Sequence, residues 1–137
     1  MSINRNYGSM THTVGLIESD MVSAASEFHL WQNEVFRKSG TRISDIEVTN
    51  IPLESALNSL LPLTTPVRTR YIFLETNSSW TAFFDNGRMG TDASTTMAVL
   101  AGRLHCRGMR VTFTEQSKVR EGNKTKILRY GACILEV

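Results

Sequence analysis

The chain has 137 residues, 41% hydrophobic and 20% charged, with a net charge of +2 at neutral pH. That length supports one domain with one real core, and the composition argues against intrinsic disorder. The first dozen residues lack the apolar run of a secretory signal, and no later run approaches the roughly 20 residues that a bilayer span needs, so a cytoplasmic location with no membrane partner is expected.

Residues 1 to 11 are polar and read as a loosely held start. Val14 and Leu16 then alternate with Thr13 and Gly15 as a short strand over 12 to 18 would, although Gly15 weakens it. Ser19 or Asp20 can cap a helix over 20 to 38 that ends at Ser39-Gly40. Its apolar face is formed by Met21, Ala25, Phe28, Trp31 or Gln32, and Val35, whereas Leu30 and Phe36 fall off that stripe and either widen it or mark a contact surface. Residues 41 to 50 alternate as a half-wet strand. Pro52 suits the first turn of a helix over 52 to 61 whose Leu53, Ala56, Leu57, Leu60 and Leu61 share one face, and Pro62 stops it.

Residues 69 to 76 and 80 to 84 predict a hairpin joined by Asn77-Ser78-Ser79, its first strand covered on both faces. The second strand places Trp80, Ala82 and Phe84 on one side and Thr81, Phe83 and Asp85 on the other, and Asp85-Asn86-Gly87 turns the chain. Thr91 and Asp92 can cap a helix over 93 to 105 with Met97, Leu100, Ala101 and Leu104 as its stripe. A strand over 109 to 114, a charged loop over 116 to 123, and a long apolar strand over 126 to 137, read as central or double-sided, complete the chain. The expected fold is therefore a single α+β domain over residues 1 to 137, with a largely antiparallel sheet of about five strands covered by about three helices.

Charge is unevenly spread: residues 1 to 66 hold four Lys/Arg against seven Asp/Glu, and residues 103 to 137 hold eight against three. The basic third comprises Arg103, Arg107, Arg110, Lys118, Arg120, Lys124, Lys126 and Arg129. Such a segment suits a solvated face, an acidic protein partner, or nucleic acid; the last wants aromatic rings between the charges, and nearby Phe113 and Tyr130 read as core.

Catalytic or ligand-binding patterns are sparse. His12, His29 and His105 stand far apart without metal-ligand spacing, so neither a metal nor a cofactor is expected. Cys106 and Cys133 read as buried, inert thiols in a reducing compartment, and Cys106 at a helix C-terminus would face the negative end of the dipole, which disfavours a thiolate nucleophile. Gly87-Arg88-Met89-Gly90-Thr91 before a helix N-terminus resembles a phosphate cradle, which would gather Arg88, Thr91 and Asp92, but the spacing is not that of a P-loop and Asp92 would oppose an anion.

The size and α+β order resemble in type small bacterial accessory proteins, among them immunity proteins that cover a toxin's active site. No aligned residue carries that likeness, and no site is transferred by it. The expected function is a non-enzymatic protein-binding module, with a toxin as one kind of partner and a homodimer as another. Nucleic-acid binding through the basic third, and a ligand or catalytic site at 88 to 92, stand as alternatives.

Overall fold

The computed structural model describes residues 12–41, 43–44, 51–63, 69–87 and 93–137. Among them, in chain order, lie β1 (Thr13–Ile17), α1 (Met21–Phe36), α2 (Leu53–Ser59), β2 (Tyr71–Glu75), β3 (Thr81–Asp85), α3 (Ala93–Leu104), β4 (Gly108–Thr114), β5 (Ser117–Glu121), β6 (Lys124–Arg129) and β7 (Ala132–Glu136). Five strands form one antiparallel sheet in the order β2-β3-β1-β4-β7, and β5 pairs with β6 in a second, two-stranded sheet.

The mixed α+β architecture follows the hydrophobic periodicities. Asp20 caps α1 by accepting a 2.8 Å hydrogen bond from the Ser23 N–H, and Pro52 stands at the cap of α2. Alternation in β1, β2 and β3 sends side chains to two faces. On one face Ile17, Phe73 and Phe83 meet Ala24 and Phe28 of α1 and Ala93, Met97 and Leu100 of α3. On the other, Val14, Leu16, Ile72, Leu74, Ala82 and Phe84 meet Leu57 and Leu60 at α2. All five residues of β3 are buried because both faces of that strand are covered.

Rings give the first cluster its order: Phe28 lies edge-on to Trp31, Tyr71 and Phe73, with Phe83 5.9 Å away between centroids. Burial raises the Tyr71 hydroxyl above its ordinary pKa. On the α2 side, buried Asn86 ties the connections together, accepting from the Arg70 N–H at 2.8 Å and donating through Nδ2 to the Pro62 carbonyl at 3.3 Å. Arg70 in turn donates to the Ser59 and Leu61 carbonyls at the end of α2.

Several expectations are corrected. Val35 is exposed, because the stripe that α1 buries runs through Ala24, Phe28 and Gln32, spaced four residues apart. Leu53 and Leu61 are exposed at the two ends of the short α2. The charged stretch 116 to 123 is largely strand β5, and the single strand expected over 126 to 137 is two strands broken at Tyr130-Gly131. The last stretch, expected to be central or double-sided, ends the sheet among the described residues as β7, and its Ile134 and Leu135 are exposed. Most of the strand expected over 41 to 50, and the loosely held start at 1 to 11, lie outside the described residues; residues 41, 43 and 44 are not in a strand.

Candidate docking surface

The basic third of the sequence folds as a nested ribbon. β4 pairs with β7 through Arg110↔Glu136 to Thr114↔Ala132, and within that pair β5 meets β6 through Ser117↔Arg129 to Glu121↔Lys124, turning at Gly122-Asn123. The proximal half belongs to the main sheet, whereas the β5–β6 half is a two-stranded arm on which every residue from Arg120 to Leu128 is exposed.

Strand register shows which side chains share a face. Leu16 faces Met109 and Val14 faces Val111, so the α2-side face continues onto β4 through Met109, Val111 and Phe113, and onto β7 through Cys133 and Leu135. The Leu57 and Leu60 cluster ends at β1 and does not reach these residues. Met109 and Val111 are half-buried, and Phe113, Cys133 and Leu135 are exposed. Across the ribbon, Phe113, Leu128, Tyr130, Ile134, Leu135 and Val137 are 42% to 84% exposed. Phe113 and Tyr130, expected in the core, are therefore surface rings. Among the described residues no strand pairs with the outer edge of β7, so an apolar face and a row of free backbone donors and acceptors run side by side.

The structure divides the predicted basic residues into two groups. Arg103 donates through Nε to Glu27 and through both terminal nitrogens to Glu34, at 2.9 and 3.0 Å, joining α3 to α1. Arg107 donates to both oxygens of Glu18, at 2.7 and 2.6 Å, and its guanidinium carbon lies 5.6 Å from the centroid of the Trp80 ring. These hydrogen bonds hold the Glu18 and Glu34 carboxyls below the usual carboxylate range and raise both guanidiniums. Arg103 and Arg107 are thus ties within the fold. Arg110 sits on β4 across from Glu136.

Lys118, Arg120, Lys124 and Lys126 are exposed on the arm. Lys118 lies across from Ile127 and Arg120 across from Thr125 on one face, while Lys126 lies across from Val119 and Lys124 across from Glu121 on the other. The arm is cationic on both faces, whereas Arg103 and Arg107 are paired with carboxylates. Arg88, Thr91 and Asp92, the predicted anion cradle and cap of α3, lie outside the described residues.

Other candidates are weaker. Cys106 is half-buried against the α1/α3 cluster, and burial, followed by the nearby Glu18 charge, pushes its thiol up and away from thiolate. Cys133, expected to be buried, is exposed because α2 does not extend over β7. Among the described residues no three His, Cys, Asp or Glu side chains come together in a metal-binding group, and no helix is long and apolar enough to cross a membrane. Leu30 and Phe36 both line an open hollow of about 420 Å³, with Asn33, Arg37 and Gly40. A second groove of about 530 Å³ runs between Met97 and Ala101 of α3 and Met109 and Arg110 of β4, reaching Val137.

Comparison with protein-family models, characterised proteins and solved structures finds no match to the chain.

What sequence reasoning missed was the uncovered face. The alternation Met109, Val111, Phe113 was visible, but an apolar strand reads the same whether a helix covers it or not. The available signal was an imbalance of cover: the helix expected on the α2 side is too short for a sheet of five strands.

Proposed function

We propose that the chain is a non-enzymatic protein-binding module that docks its partner along the outer edge of β7 and the adjoining uncovered face of β4 and β7. The observation supporting this is the coincidence of a strand edge that no strand among the described residues pairs with and exposed Phe113, Ile134, Leu135 and Val137. A partner strand added to β7 would satisfy its backbone groups, while Ile134 and Leu135, on opposite faces, would supply side-chain selectivity. Burying apolar surface contributes roughly 25 cal/mol per Å², so a few such side chains are enough to anchor a contact. Neutralising a toxin by covering its active site would be one instance of this docking.

The test is recovery of the native protein from its own cells. A stoichiometric protein should accompany the wild type and be lost from an Ile134→Lys, Leu135→Lys double variant whose melting temperature is unchanged. A wild-type chain that is reproducibly recovered alone overturns the proposal.

A second reading, nucleic-acid binding, is favoured by exposed Phe113 and Tyr130 near the cationic arm, since rings between basic groups can stack on bases. It leaves the aliphatic Leu128, Ile134, Leu135 and Val137 without a use against phosphate, and it requires binding to an oligonucleotide at low salt that weakens steeply as salt rises.

A further inference from the structure

The β5–β6 arm contributes little to the core. Residues 117 to 129 hold five Lys/Arg and a single carboxylate, Glu121, and the four described cationic side chains are divided two and two between the faces of the ribbon. No buried residue of either core cluster comes from β5 or β6. A two-stranded ribbon with both faces wet is marginal on its own and would gain stability from a partner that covers it.

We infer that the arm is the charged half of the docking surface and that its partner is a protein presenting an acidic cleft beside an apolar strand or ridge. This rests on the docking mode proposed above and specifies its occupant. Positive charge on both faces of a thin ribbon fits insertion between acidic walls better than seating on one acidic plane, because on a plane one pair of cations would stay in solvent. Exposed Ile127 and Leu128 stand among the cations of the arm, with Lys118 across from Ile127, and exposed Ile134 and Leu135 follow on β7, so charge and apolar surface would be engaged together. A second copy of this chain suits the arm poorly: Glu18, Glu27 and Glu34 are already bound by Arg107 and Arg103, and two arms would repel. By the same reasoning, a partner whose cleft is built to hold nucleic acid, and is therefore cationic, would be rejected.

The experiment places a photo-crosslinking phenylalanine derivative at Leu135 in the full chain, expressed in its own cells, with and without Lys118→Glu, Arg120→Glu, Lys124→Glu and Lys126→Glu on the arm. Circular dichroism is used to verify that both chains fold. In parallel, anisotropy measures binding of three labelled probes: a ten-residue peptide alternating Glu and Val, its Lys and Val counterpart, and a single-stranded oligothymidine. The expected result is a protein crosslink at position 135 that the charge reversal reduces at least about tenfold, together with binding of the acidic peptide alone that weakens from about 50 to about 300 mM salt. A crosslinked protein whose yield ignores the charge reversal overturns the acidic partner and leaves the docking mode standing. Absence of any protein crosslink overturns both. Equal binding of the two peptides, or binding of neither, overturns the acidic partner, and preference for the oligonucleotide moves the arm to the nucleic-acid reading.

Discussion

At Gly108 an added Cβ would sit 2.9 Å from the Met97 carbonyl oxygen and 3.1 Å from the Ala101 Cβ, and at Gly15 it would sit 3.0 Å from both the Ala93 Cβ and the Met97 sulfur. Gly15 and Gly108 lie on adjacent strands, β1 and β4, and their bare backbones let α3 seat directly on the sheet. A methyl group at 108 meets helix backbone, which cannot rotate away, so Gly108→Ala should cost roughly 1–3 kcal/mol in urea unfolding. His105 gives the opposite sign. It ends α3 at φ +50, with the following Cys106 N–H bonded to the Ala101 carbonyl at 3.1 Å, a position that glycine ordinarily fills. Relief of left-handed strain, about 1–2 kcal/mol, outweighs the extra freedom glycine has when unfolded, about 0.5–1 kcal/mol, so His105→Gly should stabilise by roughly 0.5–1 kcal/mol. From sequence alone Gly15 reads only as a weak point in a strand. Its purpose depends on a helix nearly eighty residues later, which local patterning does not report.

Helices proved legible and the ribbon did not, and the reason lies in what each element packs on. In α1, α2 and α3 the apolar stripe is intrinsic to the sequence, and all three stand where their spacing placed them. In β6 and β7 the pattern gives a strand but not its neighbours, so a run that reads as central or double-sided ends the sheet among the described residues, and the charges of β5 read as a loop. The candidate surface is legible in the sequence only as residue types: the basic side chains stand out, but not their division between ties within the fold and an exposed arm. Arg103 shows what the ties do, holding α3 to α1 through Glu27 and Glu34. The sign of the pH effect follows from the depressed Glu34, Glu18 and Asp20 carboxyls. A carboxyl whose pKa is lower folded than unfolded stabilises the fold above its unfolded value, about 4.3, and that contribution is lost as pH falls through the folded value. Melting temperature should therefore drop on acidification below about pH 4.5, and Arg103→Gln, which leaves Glu34 nearer its ordinary value, should flatten part of that drop.

Taken whole, the molecule keeps its cohesion on one side and its free surface on the other. Both core clusters centre on β1 and β3, covered by α1 and α3 on one face and α2 on the other; α3 also seats on β4 at Gly108, but on the α2 side β4, β7 and the arm extend beyond the helix. Stability and docking should then be separable by mutation. Phe83 is fully buried amid Phe28, Tyr71 and Phe73, so Phe83→Ala should cost about 3–5 kcal/mol and threaten folding at physiological temperature. The arm can be removed with little loss, because Thr114 and Ala132 already face each other across β4 and β7 and can be joined by Asn-Gly in a two-residue turn. The shorter connection lowers the entropy of closing the hairpin, which offsets the lost β5–β6 pairing. The armless chain should melt within about 3 °C of the wild type by calorimetry, while its partner crosslink at position 135 falls as far as in the charge-reversed arm. A large fall in melting temperature would mean that the arm supports the sheet, and its exposed charges would then need a structural explanation instead of a binding one.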